Sequence, residues 1–147
     1  MGFGIYFRGK WCMDTWPDDW QEAGLTRDLT FLEFFPILGA LWLWSVEWAN
    51  SVMQFWCDNL AVFHVINSLT SKLVWMMWLV RAFVLHALQY NIVFHARHIP
   101  GLDNSITKAL SHQQNEWFRV LVPGAYKWPK VLPAEIWQIG NGKQMER

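Results

Sequence analysis

Three carboxylates in this chain of 147 residues stand apart from its solvated stretches. Glu33 falls among phenylalanines in "FLEFFPI", Asp58 ends the apolar run "QFWCDN", and Asp103 follows the Pro100-Gly101 turn. A lone acid in such a place is usually structural. Asp58 suits an N-cap for a helix beginning at Leu60, and Asp103 suits one for the helix after it. Glu33 resists that assignment, because an unpaired glutamate on an apolar face is costly to bury. The other chemistry open to these acids is metal binding. Converging carboxylates repel one another unless a cation neutralises them, and Mg²⁺, with its preference for oxygen, fits that role best. Two such ions about 4 Å apart are a standard device for cutting a phosphodiester. Spacing alone leaves both readings open.

The elements that must position these residues can be traced along the chain. "GFGIYFRGKWCMDTW" reads as two short strands joined by a turn at Arg8-Gly9-Lys10. "PDDWQEAGLTRD" is polar and punctuated by Pro and Gly, hence a loop. From Thr30 the spacing of Phe34, Ile37, Leu38, Leu41 and Val46 predicts a helix, with Glu33 on its apolar side. "SVMQFW" reads as a strand buried on both faces apart from Gln54, ending at Asp58. A helix follows with Val62, Val65, Ile66 and Leu69 in register, then a second in "KLVWMMWLVRAFVLHALQ" that is apolar nearly all round. "NIVFHARHI" alternates as a strand, with Ile92, Phe94 and Ala96 on one face and Val93, His95 and Arg97 on the other. A last helix is predicted from about Asn104, with Ile106, Leu110, Gln113, Trp117 and Val120 in one stripe.

Residues 123–147 hold three prolines and three glycines and no long periodic stretch, so the domain is drawn as 1–122 with a tail or linker over 123–147. The order of elements predicts an α/β domain, one mixed sheet with helices packed on it. Sites in such sheets gather at the carboxyl ends of strands, and Asp58 occupies such an end.

Composition bounds the rest. The chain is 53% hydrophobic and 16% charged, against about 25% charged in an ordinary soluble domain. Zero formal net charge removes the bulk electrostatic footprint of a nucleic-acid binder, though not a local basic groove. Two cysteines, Cys12 and Cys57, make neither a disulfide framework nor a CxxC site, which favours a reducing, intracellular compartment over secretion. No basic-then-apolar leader follows Met1, so no signal peptide is expected. Phe31 to Ala49 carries Glu33, Glu47 and Pro36, and Leu73 to Leu88 is interrupted by Arg81 and His86. A spanning helix wants roughly 20 apolar residues in a row, so both stretches are expected as core helices and no membrane as a partner.

"FLEFFPI", "FWCDNLAVFHVIN" with "TSK", "ARHIPGLDN" followed by "ALS", and "LPAEIWQ" together resemble the ribonuclease H-like domain of reverse transcriptases from DIRS-type, tyrosine-recombinase retrotransposons. The likeness runs from Gly2 to about Ile139 and rests on the order and spacing of short motifs. It implies a ribonuclease H-like mixed sheet flanked by helices, within a polyprotein that also holds reverse transcriptase and recombinase domains. In that family four carboxylates hold two magnesium ions (manganese substitutes), and a water attacks the RNA strand of an RNA/DNA hybrid. By the resemblance, Glu33 matches the glutamate of the first helix, Asp58 the aspartate ending the central strand, and His98 the mobile histidine of product release or proton transfer. Without it, His98 reads as an exposed loop histidine.

Two departures stand beside these matches. The family's first strand, which carries the first aspartate ahead of "GFG" and lies in the middle of the sheet, has no counterpart before Gly2. At the fourth acid the family reads Asn, two residues, a small residue, Asp, then Ala-Leu-Ser; "NSITKALS" puts Lys108 there. A cation within about 4 Å of Mg²⁺ costs on the order of 8 kcal/mol at an effective dielectric near 20. The expectation is a degenerate domain that contacts RNA/DNA hybrid or other nucleic acid at most. An active magnesium-dependent nuclease is the alternative, and an unrelated membrane or interaction protein the third reading.

Overall fold

A computed structural model describes residues 2–100 and 104–141. Strands β1 (Gly2–Phe7) and β2 (Lys10–Thr15) form an antiparallel hairpin in which Phe7 faces Lys10 and Gly2 faces Thr15. Its two-residue turn puts Arg8 and Gly9 at φ of 47° and 84°, the left-handed pair whose twist matches that of the strands it joins. The polar stretch expected as a loop forms a short helix, α1 (Asp18–Glu22), and a 3₁₀ turn at Leu25–Arg27. The reason is a single anchor: Trp20 is completely buried, stacked on Trp16 and edge-on to Phe31 and Phe35.

Helix α2 (Leu29–Trp48) is the spine of the molecule. Asp28 caps it, accepting from the Phe31 backbone N–H at 3.2 Å, and also accepts from the indole of Trp75 in the helix Val74–Gln89. One carboxylate therefore fixes where α2 starts and which helix lies against it. Phe31, Phe34, Phe35, Leu38 and Leu41 are fully buried, and the helix kinks at Trp44. With 20 residues and a mean hydropathy of 1.6, α2 is long and apolar enough to cross a membrane, contrary to the expectation from sequence. Half of that stretch is buried in the protein.

Strand β3 (Val52–Cys57) leads to α3 (Leu60–Ser68) and α4 (Val74–Gln89), and β4 (Val93–His98) returns parallel to β3. β3 is not buried on both faces: Val52, Gln54 and Trp56 are exposed, and only Met53, Phe55 and Cys57 face the interior. β4 alternates as expected, with Ile92 and Ala96 inside and Val93, His95 and Arg97 outside.

The last predicted helix is two, α5 (Ser105–Ser111) and α6 (Asn115–Leu121), broken where Gln113 takes a φ of 59°. The break turns the expected stripe outward at Trp117 and Val120 and buries Phe118 instead. Described residues beyond 122 also pack onto the body. Leu132 and Ile136 lie in the core, Trp137 stacks on Phe35, and a 3₁₀ segment spans Ala134–Asn141.

The class is α/β, but the strands make two separate two-stranded sheets, β1-β2 and β3-β4, where one mixed sheet was expected. Among the described residues no strand lies between them. Each sheet leans on α2 instead, with Phe7 and Phe55 both against Trp48 at ring distances of 5.2 and 5.8 Å.

Candidate acidic site at the end of β3

Asp58 is the residue between a strand and a helix, and its neighbour does the capping. The Asn59 side chain accepts from the Val62 backbone N–H at 3.1 Å, so Asn59 and not Asp58 starts α3. Asn caps as well as Asp, and the second residue of "DN" sits at the right distance for the N3 amide. Asp58 is thus left without a capping role, and its carboxylate makes no hydrogen bond among the described residues. Asp103, the other expected cap, lies outside the described residues. Helix α5 begins instead after Asn104, whose side chain accepts from the Thr107 hydroxyl.

His98 ends β4 opposite Cys57, and its Nε2 lies 3.3 Å from the Asp58 backbone carbonyl. Its ring is exposed. The strand pairing alone brings His98 to Asp58, because parallel strands of equal length place their carboxyl ends together.

Glu33 reaches the same place from α2. It is exposed rather than embedded in the apolar side of the helix as the spacing suggested. Phe34 and Phe35 take the core directions on either side of it, and Glu33 occupies the margin that faces the end of β3. Its carboxyl is nonetheless held above the ordinary glutamate value, first by partial burial and second by the negative charge of Asp58; Lys108 opposes both.

Lys108 is carried in by α5, which is seated against the hairpin by Ala109 and Leu110. The close approach depends on Gly4: a Cβ there would stand 2.2 Å from that of Leu110 and 2.8 Å from the Thr107 carbonyl. The same pair of acids pushes the buried Cys57 thiol up to about 11, after burial itself, with Asp58 ahead of Glu33. Asp58 and Lys108 therefore both act on Glu33, with His98 beside the Asp58 backbone.

Two carboxylates facing an ammonium group carry a net charge of only −1. Among the described residues no three His, Cys, Asp or Glu side chains are grouped so as to hold a metal ion. A Mg²⁺ ion takes oxygen ligands, and here the third side chain is a cation. The residues present do not fit the two-metal site implied by the resemblance, and no metal-dependent step can be assigned to them. What the group can do is present Lys108 to an anion beside two acids. Against known proteins, the chain matches no family model, no curated protein and no solved structure.

Proposed function

We propose that this chain is a degenerate ribonuclease H-like domain of retrotransposon origin, which contacts RNA/DNA hybrid or other nucleic acid weakly and does not cleave it. The observation that carries the reading is the charge of Lys108 acting on Glu33 beside Asp58. A cation sits among the acids where the resemblance puts the fourth carboxylate. Weak contact with phosphates is supported by Arg97, His98 and Lys108, all exposed; their binding would be electrostatic and salt-dependent. An intracellular setting, within or derived from a polyprotein with reverse transcriptase and recombinase domains, belongs to the same reading.

The alternative is a nuclease that still works with magnesium or manganese. It is favoured by one feature, the mutual repulsion of Glu33 and Asp58, which a divalent cation would relieve. An RNA/DNA hybrid labelled on its RNA strand separates the two. The degenerate domain retards the hybrid at low salt and leaves the RNA intact in millimolar Mg²⁺ or Mn²⁺. Cleavage that disappears in Asp58→Asn establishes the alternative. Lys108→Asp alone is expected not to restore full activity.

A further inference from the structure

Helices α3 and α4 and strand β4 lie within residues 59–102, a stretch with no aspartate or glutamate. Its charged side chains are Lys72, Arg81 and Arg97, and it also carries four of the chain's five histidines. A cleft of about 940 Å³ lies among these three elements, within the ~300–1,000 Å³ usual for small-molecule sites. Phe63 and Ile66 line it from α3, Val84 and Ala87 from α4, and Phe94 from β4. Phe63, Val84 and Phe94 are only partly buried, so core-type side chains are left incompletely covered there. Leu69, Leu88 and Val93 also line the cleft and are 45%, 72% and 52% exposed.

Hydrogen bonds hold the cleft's sides in place. The Ile92 N–H donates to the Ala87 carbonyl at 2.9 Å, tying the start of β4 to the end of α4. The Asn67 side chain donates to the Ala96 carbonyl at 3.3 Å and accepts from its N–H at 3.0 Å, holding the end of α3 on β4. Leu69 then closes α3 with a φ of 57°, a left-handed position that usually falls to Gly or Asn. Leucine there costs stability, and it brings an aliphatic side chain to the cleft where glycine would bring none.

Three occupants suit this cleft poorly. An extended peptide would pair with the edge of β4. Val93 and Ile99 bond inward to the Ser51 and Cys57 carbonyls, so Ala96 stands in the middle of the outward-facing set, and Asn67 has already closed it. A nucleic-acid base stacks on rings, whereas the exposed apolar side chains here are two leucines and a valine. A second copy paired about a two-fold axis would set the same acid-free surface against itself. The polar side of the cleft points elsewhere. His95 and Arg97 line it from one face of β4, both exposed, and among the described residues neither side chain has a hydrogen bond or an ion pair.

We infer that this cleft binds an anionic amphiphile, a long-chain carboxylate or an acidic lipid, with the aliphatic chain among Ile66, Leu69, Val84 and Leu88 and the head on Arg97. The guanidinium fork matches a carboxylate or phosphate in two parallel hydrogen bonds, and no acid in the surrounding elements competes for it. The inference rests on the cleft and not on Glu33, Asp58 and Lys108, so the outcome of the hybrid assay does not bear on it.

The test uses the full chain with ¹³C-labelled methyl groups, titrated with monomeric laurate, with dodecylamine as the cation-headed counterpart, and with phosphatidylglycerol vesicles. Laurate is expected to shift the methyl signals of Ile66, Leu69, Val84 and Leu88 saturably, at one molecule per chain. Dodecylamine is expected to bind at least about tenfold more weakly, the size of effect of a hydrogen bond to a charged group. Arg97→Gln should weaken laurate by a similar factor and leave dodecylamine unchanged. Leu88→Glu, at an exposed position, should abolish laurate binding with little change in the thermal melt. The same shifts with vesicles identify a membrane lipid as a source, and shifts with laurate alone identify a free carboxylate; either result supports the cleft. Equal affinity for the two head groups, laurate binding that Arg97→Gln leaves intact, or vesicle binding without laurate binding overturns it. So does the absence of shifts at millimolar laurate, or the same shifts produced by oligothymidylate or by raising the protein concentration alone.

Discussion

Glu33 is the residue at which composition, position and charge pull in different directions. Burial and Asp58 raise its pKa above 4.5, so the folded protein holds that proton more tightly than the unfolded chain does. Ionisation then costs stability as pH rises from 4.5 through the folded value. Glu33→Gln is expected to raise the urea midpoint at pH 7, by under about 1 kcal/mol for so exposed a group. The advantage should fade below about pH 4.5; an equal gain at pH 7 and pH 4 would show that charge is not the cause. At the next strand end, Asn59→Ala is expected to cost about 0.5–2 kcal/mol as a lost cap, whereas Asp58→Asn changes stability little. Matched denaturation curves for the two variants check the assignment, and a larger loss at Asp58 would return the cap to it. The buried thiols of Cys12 and Cys57, pushed up to about 12 and 11, stay protonated at pH 7 and should alkylate only as the protein unfolds. Rapid labelling of the native protein would contradict that burial.

Among the elements, α2 was the most legible, because Phe34, Leu38 and Leu41 repeat at helical spacing and all three are buried. Its core role gives a direct expectation: Phe35→Ala should destabilise by about 3–5 kcal/mol, read by denaturant titration, since its ring fills space among Trp16, Trp20 and Trp137. A loss below about 1 kcal/mol would mean that the aromatic cluster is not the core. β3 misled for a physical reason. Its composition suits burial on both faces, and apolar residues can be exposed when nothing covers them; Val52 and Trp56 are 66% and 58% exposed. The break between α5 and α6 carries no glycine or proline, so Gln113 in a left-handed conformation left no mark in the sequence. Nor did Trp20 announce itself: one buried tryptophan in a polar stretch has no period.

At the scale of the whole molecule, the mixed α/β class was legible. The division of the strands into two sheets was not, because alternation within a strand says nothing about which edge finds a partner. Glu33, Asp58 and Lys108 could be placed together only through the resemblance, since they are far apart in the chain. Whether that group can still hold a metal ion is the point on which the functional reading turns. The direct measurement is a thermal melt of the parent, Asp58→Asn and Lys108→Asp, each with and without millimolar Mg²⁺. An ion bound only by the native state raises Tm in proportion to ln(1 + [Mg²⁺]/Kd). The expected result is no magnesium-dependent rise for the parent or Asp58→Asn, and a rise for Lys108→Asp, where a third acid replaces the cation. A rise in the parent that is lost in Asp58→Asn would contradict the degenerate site and point to a working one.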